Sequence, residues 1–320
     1  MRKASLLAVC ALVGAAGILP ARGEDYPARP VRVVVGFPAG SAADITARVV
    51  GQRMGQLLGQ QLVVEDKAGA GSNLAAEVVA RAPKDGYTLL LATIANSINA
   101  VVKTNMPFDL AKDFAPIVRL STTPNILVVP PSLGVRSVKE LIDLAKAKPD
   151  QLSFASSGVA SGTHLAAELF KMLTGTKMVH VPYSGSPPAV TDLLAGRVQA
   201  FFSPISTVIE HVRAGKLVAL ASTEAKRSAI APEIPTMAEA GLPEFETGLW
   251  FGLLAPAGTP KEIITKLAAA NEALRSDEVV KLLAQQGIDV VGGSPEDFAR
   301  YIEGDMKRWA TVADAVGLKN

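Results

Sequence analysis

The stretch Val31–Arg48, VRVVVGFPAGSAADITAR, decides the fold class. Val31, Val33, Val34 and Val35 make a near-continuous β-branched run, the pattern of a strand buried on both faces. Phe37-Pro38-Ala39-Gly40-Ser41 then turns the chain through mostly small residues, and Ser41 stands where a helix N-cap belongs. A strand that feeds a helix through such a loop leaves first-turn N–H groups without carbonyl partners at the positive end of the helix dipole. The loop therefore predicts an anion pocket at Phe37, Ala39, Gly40 and Ser41. Asp44 complicates that reading, because a carboxylate there repels an anion. It lies three residues after Ser41 and four before Arg48, the spacings of a capping box and of a helical ion pair. A structural role is favoured for Asp44, with a ligand ammonium or hydroxyl group as the alternative partner.

Outward from this unit, strand-like and helix-like runs alternate. Strands are predicted at Val31–Val35, Gln61–Glu65, Thr88–Ala92, Ile126–Val129, Leu152–Ala155, Met178–Pro182, Val198–Ser203, Leu217–Ser222 and Gly248–Ala255. Amphipathic helices lie between them: Val138, Leu141, Ile142 and Ala145 share one face, as do Leu165, Leu169, Met172 and Leu173. Ile264, Leu267, Ala268 and Asn271 repeat the spacing with one polar exception. The pattern predicts an α/β fold with mainly parallel sheets covered on both faces. Composition shifts near Thr122–Asn125 and Leu242–Trp250 mark two crossings between domains. Residues 24–124 plus 248–320 would form lobe I and 125–247 lobe II, a hinged pair around a cleft.

The chain opens with Arg2 and Lys3, an apolar run Leu6–Leu19 and the small residues Ala21 and Gly23, the layout of a secretory leader over 1–23. The run is too short to span a bilayer. The 32 Lys and Arg residues less Arg2, Lys3 and Arg22 leave 29 against 30 Asp and Glu, a net charge of −1 for the exported chain. That balance gives no basic field for nucleic acid or an anionic membrane. The one cysteine, Cys10, leaves with the leader, so no disulfide is available and a hydrophobic core must hold about 300 residues. A monomer is expected.

The remaining loops argue against catalysis. Lys67–Asn73 carries Gly69-x-Gly71 after a strand, but Leu74 occupies the third small position of a dinucleotide fingerprint, so the glycines are read as a tight turn beside the cleft and no cofactor is expected. Ser156–His164 is a second small-residue loop ahead of a helix. Its Ser156, Ser157 and Thr163 are candidates to grip the far end of a ligand, and His164 is either a contact or a backbone-bonded histidine. Gly158-Val159-Ala160-Ser161-Gly162 is not G-x-S-x-G, which weakens a hydrolase reading. His180 is read as structural and His211 as solvated. Three scattered histidines without H-E-x-x-H predict no metal site. Tyr183, in the loop Tyr183–Pro188, is read as a wall or lid. Aromatic residues are only 5% of the chain, too few for stacked sugar or base platforms.

Assembled, the blocks YPARPVRVVVGFPAGSAADITAR, AGAGSNLAAEVVARAPKDGYTLLLAT, NMPFDLAKDFAPI, HLAAELFKMLTG, VHVPYSGSPPAVTDLLAGRV and GLLAPAGTP resemble the Bug-type extracytoplasmic solute receptors of tripartite tricarboxylate transporters. The resemblance implies a periplasmic binding protein of the type II-like, two-lobe α/β class without enzymatic activity. It implies a small organic carboxylate as ligand and integral membrane transporter subunits as partners. Members often hold a carboxylate on a strand–helix loop with the help of water. Carried onto this chain, that loop is Phe37–Ala43, with Asp44 at the family's acidic position. Ser156–His164, Tyr183–Ser186 and Ser203 would face it, and Asn96 and Ser97 would complete the rim. Ser41 stands where the family usually repeats glycine, and Ser203 where many members have Asp. A receptor that feeds a sensor kinase, or a secreted serine hydrolase, are the competing readings.

Overall fold

The computed structural model describes residues 26–315 and 317–318; the leader assigned to 1–23, with Cys10, lies outside them. In chain order the elements are β1 (Val31–Val35), α1 (Ala42–Leu58), β2 (Leu62–Asp66), α2 (Asn73–Ala80), β3 (Thr88–Thr93), α3 (Ile94–Val102) and β4 (Phe114–Val129). There follow α4 (Val138–Ala147), β5 (Ser153–Ser156), α5 (Gly162–Thr174), β6 (Val179–Pro182), α6 (Ser186–Leu194), β7 (Ala200–Pro204), α7 (Ile205–Arg213) and β8 (Val218–Ser222). The chain closes with β9 (Gly248–Pro256), α8 (Lys261–Ala269), α9 (Asp277–Ala284), β10 (Asp289–Val290) and α10 (Pro295–Ala315).

The strands form one path, β2-β1-β3-β9-β4-β7-β5-β6, with β8 and β10 added against β4. β4 holds the path together. Its residues Phe114–Pro124 pair with β9, and from Asn125 onward it pairs with β7 and β8. One half of the molecule is thus built on β2-β1-β3-β9-β4 and the other on β4-β7-β5-β6. Each half has its own apolar interior. Val31, Val33–Val35, Leu89–Leu91 and Trp250 belong to the first; Phe154, Phe170 and Phe202 on one face and Phe201, Val208 and Leu193 on the other fill the second. The mixed α/β, two-lobe class expected from the sequence is the one found.

Two expectations are corrected. The pairing is not mainly parallel: among the described residues four pairings are parallel and five antiparallel, because β4 runs against its neighbours in both halves and β9 against β3 and β4 in the first. The strand predicted at Ile126–Val129 also begins twelve residues earlier, at Phe114. Pro116 and Pro124 remove ladder donors, and register shifts at Pro116/Val118 and Arg119/Ser121 break the two-residue alternation that marks a strand in sequence. The last helix is tied to this frame by Asp305, whose buried carboxylate accepts from Trp250 Nε1 at 2.8 Å and Trp309 Nε1 at 3.0 Å.

Candidate functional site

Each parallel strand of the fold leads into a helix, directly or through a loop, and the two halves aim these junctions at one another. α1 begins at Ser41, whose Oγ accepts the Asp44 N–H at 3.3 Å. Thr93 opens α3, with its Oγ1 accepting from Ala95 N at 3.2 Å while Asn96 Oδ1 accepts from Thr93 N at 2.9 Å. α5 starts after Ser161, whose Oγ accepts the His164 N–H at 3.3 Å. Gly185 precedes α6 and Pro204 precedes α7. Between the halves lies a cavity of about 30 Å³ lined by the starts of all five helices: Ser41–Ala43, Thr93–Ala95, Gly162 and Thr163, Ser186, and Pro204. Phe37, Ser157, Leu249 and Phe251 complete its wall.

Among the described residues, no charged side chain lines this space. Its polarity comes from five hydroxyl groups and from first-turn N–H groups, which lack intrahelical acceptors and are fewest at α6, where Pro187 and Pro188 have none. Each helix N-terminus carries about half a positive charge in effect. Phe37 and Ser157 also line a larger space of about 210 Å³ at the mouth, with Gly69–Gly71, Gly158, Val159, Tyr183 and Ser184. Lys103 is the cation of this mouth; burial lowers its pKa. Nothing in its sequence context singled it out.

The facing loops touch. Asn99 Nδ2 donates to Gly71 O at 3.2 Å and Ala95 O at 2.7 Å in one half, and to Ala160 O at 3.3 Å in the other. A Cβ on Gly71 would sit 2.9 Å from Val159 O, and one on Gly185 would sit 2.3 Å from Pro38 Cδ. Ala70, Ser72 and Ala160, in these loops, are three of the four non-glycine residues with positive φ among the described residues. Strain of that kind costs of order 1–3 kcal/mol per residue and gathers where a loop's shape serves a function.

The structure sorts the site residues expected from the sequence. Phe37, Ser41, Ser157 and Thr163 line the inner cavity, and Tyr183 lines the mouth, where its hydroxyl donates to Asp192 Oδ2 at 2.8 Å. The glycine turn at 69–71 stands beside the cleft as anticipated. The others are placed elsewhere. Ala39 is exposed outside the cavity, and the Gly40 N–H is already taken by Asp44 Oδ2 at 2.9 Å. Asp44 is buried in that bond and in its 2.6 Å ion pair with Arg48 Nε, which reaches on to Asp66 Oδ2 at 2.9 Å. It shapes the loop and does not face the cavity. Burial, and then the nearby Asp44, raise the pKa of Asp66.

Asn96 and Ser97 are interior residues of α3 and not a rim. The cavity takes Thr93, Ile94 and Ala95 instead, because the helix starts directly where β3 ends. The T-x-x-N spacing of Thr93 and Asn96 was the available signal for that cap. Ser156 Oγ lies 2.6 Å from His180 Nε2 and accepts from Gly158 N at 3.2 Å, so it braces its own loop. His164 is buried, accepts from Ala160 N at 3.2 Å through Nδ1, and stacks on His180 with ring centroids 4.0 Å apart. Burial, assisted by Lys171, pushes its pKa down to about 4; burial and His164 do the same to His180. Ser203 is buried against Thr207 Oγ1 at 2.7 Å, and its strand neighbour Pro204 faces the cavity. Adjacent strand residues point to opposite faces, so a one-residue error in register exchanges wall for interior.

Residues 46–318 match the family model described as tripartite tricarboxylate transporter family receptor. The protein BugT of Bordetella pertussis is 39% identical over 324 residues, covering 100% of this chain and 99% of its own. Among solved structures, R. palustris Rpa4515 with adipate is 38% identical with a TM-score of 0.87, over 92% of this chain and 99% of that one. MatC (Rpa3494) from Rhodopseudomonas palustris with bound malate is 32% identical with a TM-score of 0.86, over 90% and 99%. Both the fold and the family are those of substrate-binding receptors. The chain belongs to the Bug-type receptor family of tripartite tricarboxylate transporters.

Proposed function

We propose that this chain is a periplasmic receptor that captures a small organic carboxylate between two lobes and presents it to integral membrane transporter subunits. Residues 24–124 with 248–320 form one lobe and 125–247 the other, and the chain reaches the periplasm after removal of 1–23. It performs no chemistry on its ligand. One observation carries the reading: five helix N-termini converge on one cavity that, among the described residues, no charged side chain lines. Peptide dipoles alone then supply the positive potential, and an anion is the ligand they favour. The adipate and malate held by two related structures are carboxylates of the expected size.

A space of about 30 Å³ holds a water or two, well short of the several hundred Å³ of an ordinary ligand pocket. The lobes therefore part to admit the ligand and close on it, with Asn99 and the Pro38–Gly185 contact as the points of closure. Lys103 at the mouth draws the anion in. Each charge-assisted bond from an N–H or hydroxyl contributes about 1.5–3 kcal/mol, so two or three suffice to prefer an acid over its amide without an arginine. Isothermal titration with a panel of carboxylates and their matching primary amides tests this. Binding confined to the acids is expected; equal affinity for an acid and its amide overturns the reading.

A further inference from the structure

Resting on the carboxylate-receptor reading, we infer that Glu224 couples closure of the cleft to a proton: the closed form keeps this side chain protonated, so capture of the ligand takes up a proton and weakens as the pH rises. Glu224 stands where the chain passes between the halves. The crossings are β4 at Pro124–Asn125 and the entry to β9 at Thr247–Gly248. Thr223 ties them together. Its N–H donates to Asn125 O at 2.9 Å, and its carbonyl accepts from Thr247 N at 3.0 Å. Its hydroxyl accepts from Asn125 N at 3.1 Å and donates to Thr247 O at 2.6 Å. Glu224 is the next residue, and a Cβ on Gly248 would lie 4.0 Å from its Oε1. Both polar atoms of the Asn125 carboxamide, and Thr247 Oγ1, are buried at this junction without a protein partner, so these side chains do not lock it.

A pocket of about 340 Å³ opens beside the junction. Thr122 and α10 wall it from the first half, Glu224 and Lys226 from the second. Ile94 and Leu249 line both this pocket and the ligand cavity, so parting the halves widens the two together. Glu224 faces Lys226 on its own segment, Glu246 ahead of β9, Asp289 on β10, and Tyr301, Asp305 and Arg308 on α10. The other charges are engaged: Arg308 with Glu246 O, Arg119 of β4 over the Tyr301 ring, and Asp305 with Trp250 and Trp309. Burial, then Asp289 and Glu246, push the Glu224 pKa up to about 7 from an ordinary 4.5. Asp289 pairs with the first-half stretch of β4, whereas Glu224 follows β8 in the second half. Parting the halves hydrates Glu224 and draws it from Asp289, which returns its pKa toward the ordinary value. The closed form therefore binds the proton more tightly than the open one. A ligand held by the closed form gains from that proton in mild acid and loses the gain as the pH rises through about 7.

The test is calorimetric titration of the mature chain with adipate, malate and the rest of the carboxylate panel, from pH 5.5 to 8 in buffers of different ionisation enthalpy. Binding is expected to take up about 0.7 proton per ligand at pH 6.5, and to be about five- to tenfold tighter at pH 6 than at pH 8. Glu224→Gln, neutral at every pH, is expected to take up no proton and to keep at pH 8 the affinity of pH 6. Asp289→Asn removes one repelling charge and is expected to lower the uptake at pH 6.5 to about 0.5 proton, which decides the matter should the first variant fail to fold. A flat affinity across the range, or an unchanged uptake in either variant, overturns the inference and leaves the receptor reading standing. Failure of every carboxylate to bind overturns the receptor reading. Small-angle scattering of the unliganded chain then decides the inference, which expects a larger radius of gyration at pH 8 than at pH 6 and falls if the radius is unchanged.

Discussion

Ser41 serves the helix and the cavity at once, and the two duties separate by substitution. Its hydroxyl caps α1 and lines the ligand space. Ser41→Ala is expected to cost about 1 kcal/mol of stability through the lost cap and about tenfold in ligand affinity through the lost donor. Ser41→Gly gives up only a few tenths of a kcal/mol, because glycine is tolerated at an N-cap, yet loses the same affinity. Thermal melts beside calorimetric titrations distinguish the two effects. The stacked histidines make a different prediction. His164 and His180, both pushed down to about 4, stay neutral in the folded chain while the unfolded chain takes up protons below about 6.5. Stability therefore falls as the pH drops from about 6.5 to about 4, by roughly 2–3 kcal/mol per ring at most. Glu224, raised to about 7 by burial and then by Asp289 and Glu246, acts in the opposite sense. Its protonated form favours the folded chain in acid, and that contribution is lost as the pH rises through about 7. Urea midpoints across this range for the unaltered chain and for His164→Gln and His180→Gln isolate the histidines, since Glu224 is common to all three. Flatter profiles in the variants are expected.

The starts of α1 and α6 meet at Pro38 and Gly185, where there is no room for a methyl group. Gly185 lies at φ 168, extended backbone that any residue adopts, so alanine strains nothing within its own segment. Gly185→Ala is expected to hold these two elements apart and weaken ligand binding at least tenfold. Its unfolding free energy should stay within about 0.5 kcal/mol, the range of a substitution that touches no folded core. Calorimetry and a urea melt on the same preparation check both. Elements were also the level most legible in the sequence. Val31–Val35 and Thr88–Leu91 announce themselves because a strand buried on both faces must be apolar throughout. The long reach of β4 did not, since prolines and bulges erase its alternation. Cap residues were readable too. Whether a residue caps a helix or faces a ligand was not, as Asn96 and Asp44 show: the same polar side chain suits either task, and only the position of the neighbouring strand end decides.

At the scale of the whole molecule, Asn99 joins the halves through one carboxamide bonded to Gly71, Ala95 and Ala160. Asn99→Leu removes that bridge. Small-angle scattering is expected to show a larger radius of gyration for the unliganded variant, and titration an affinity about fivefold lower, the value of a single net hydrogen bond. An unchanged radius and affinity would detach Asn99 from closure. Val31–Arg48 alone established a buried strand, a capped helix and an anion-seeking loop, because patterning and cap chemistry act over a few residues. Only the tertiary structure decided which donors face the ligand. It turned the Gly40 amide to Asp44, set His164 against His180, and brought five helix starts from both halves of the molecule around one cavity. That convergence depends on β4, which pairs with β9 in one half and with β7 and β8 in the other, a long-range pairing that no local run of residues records.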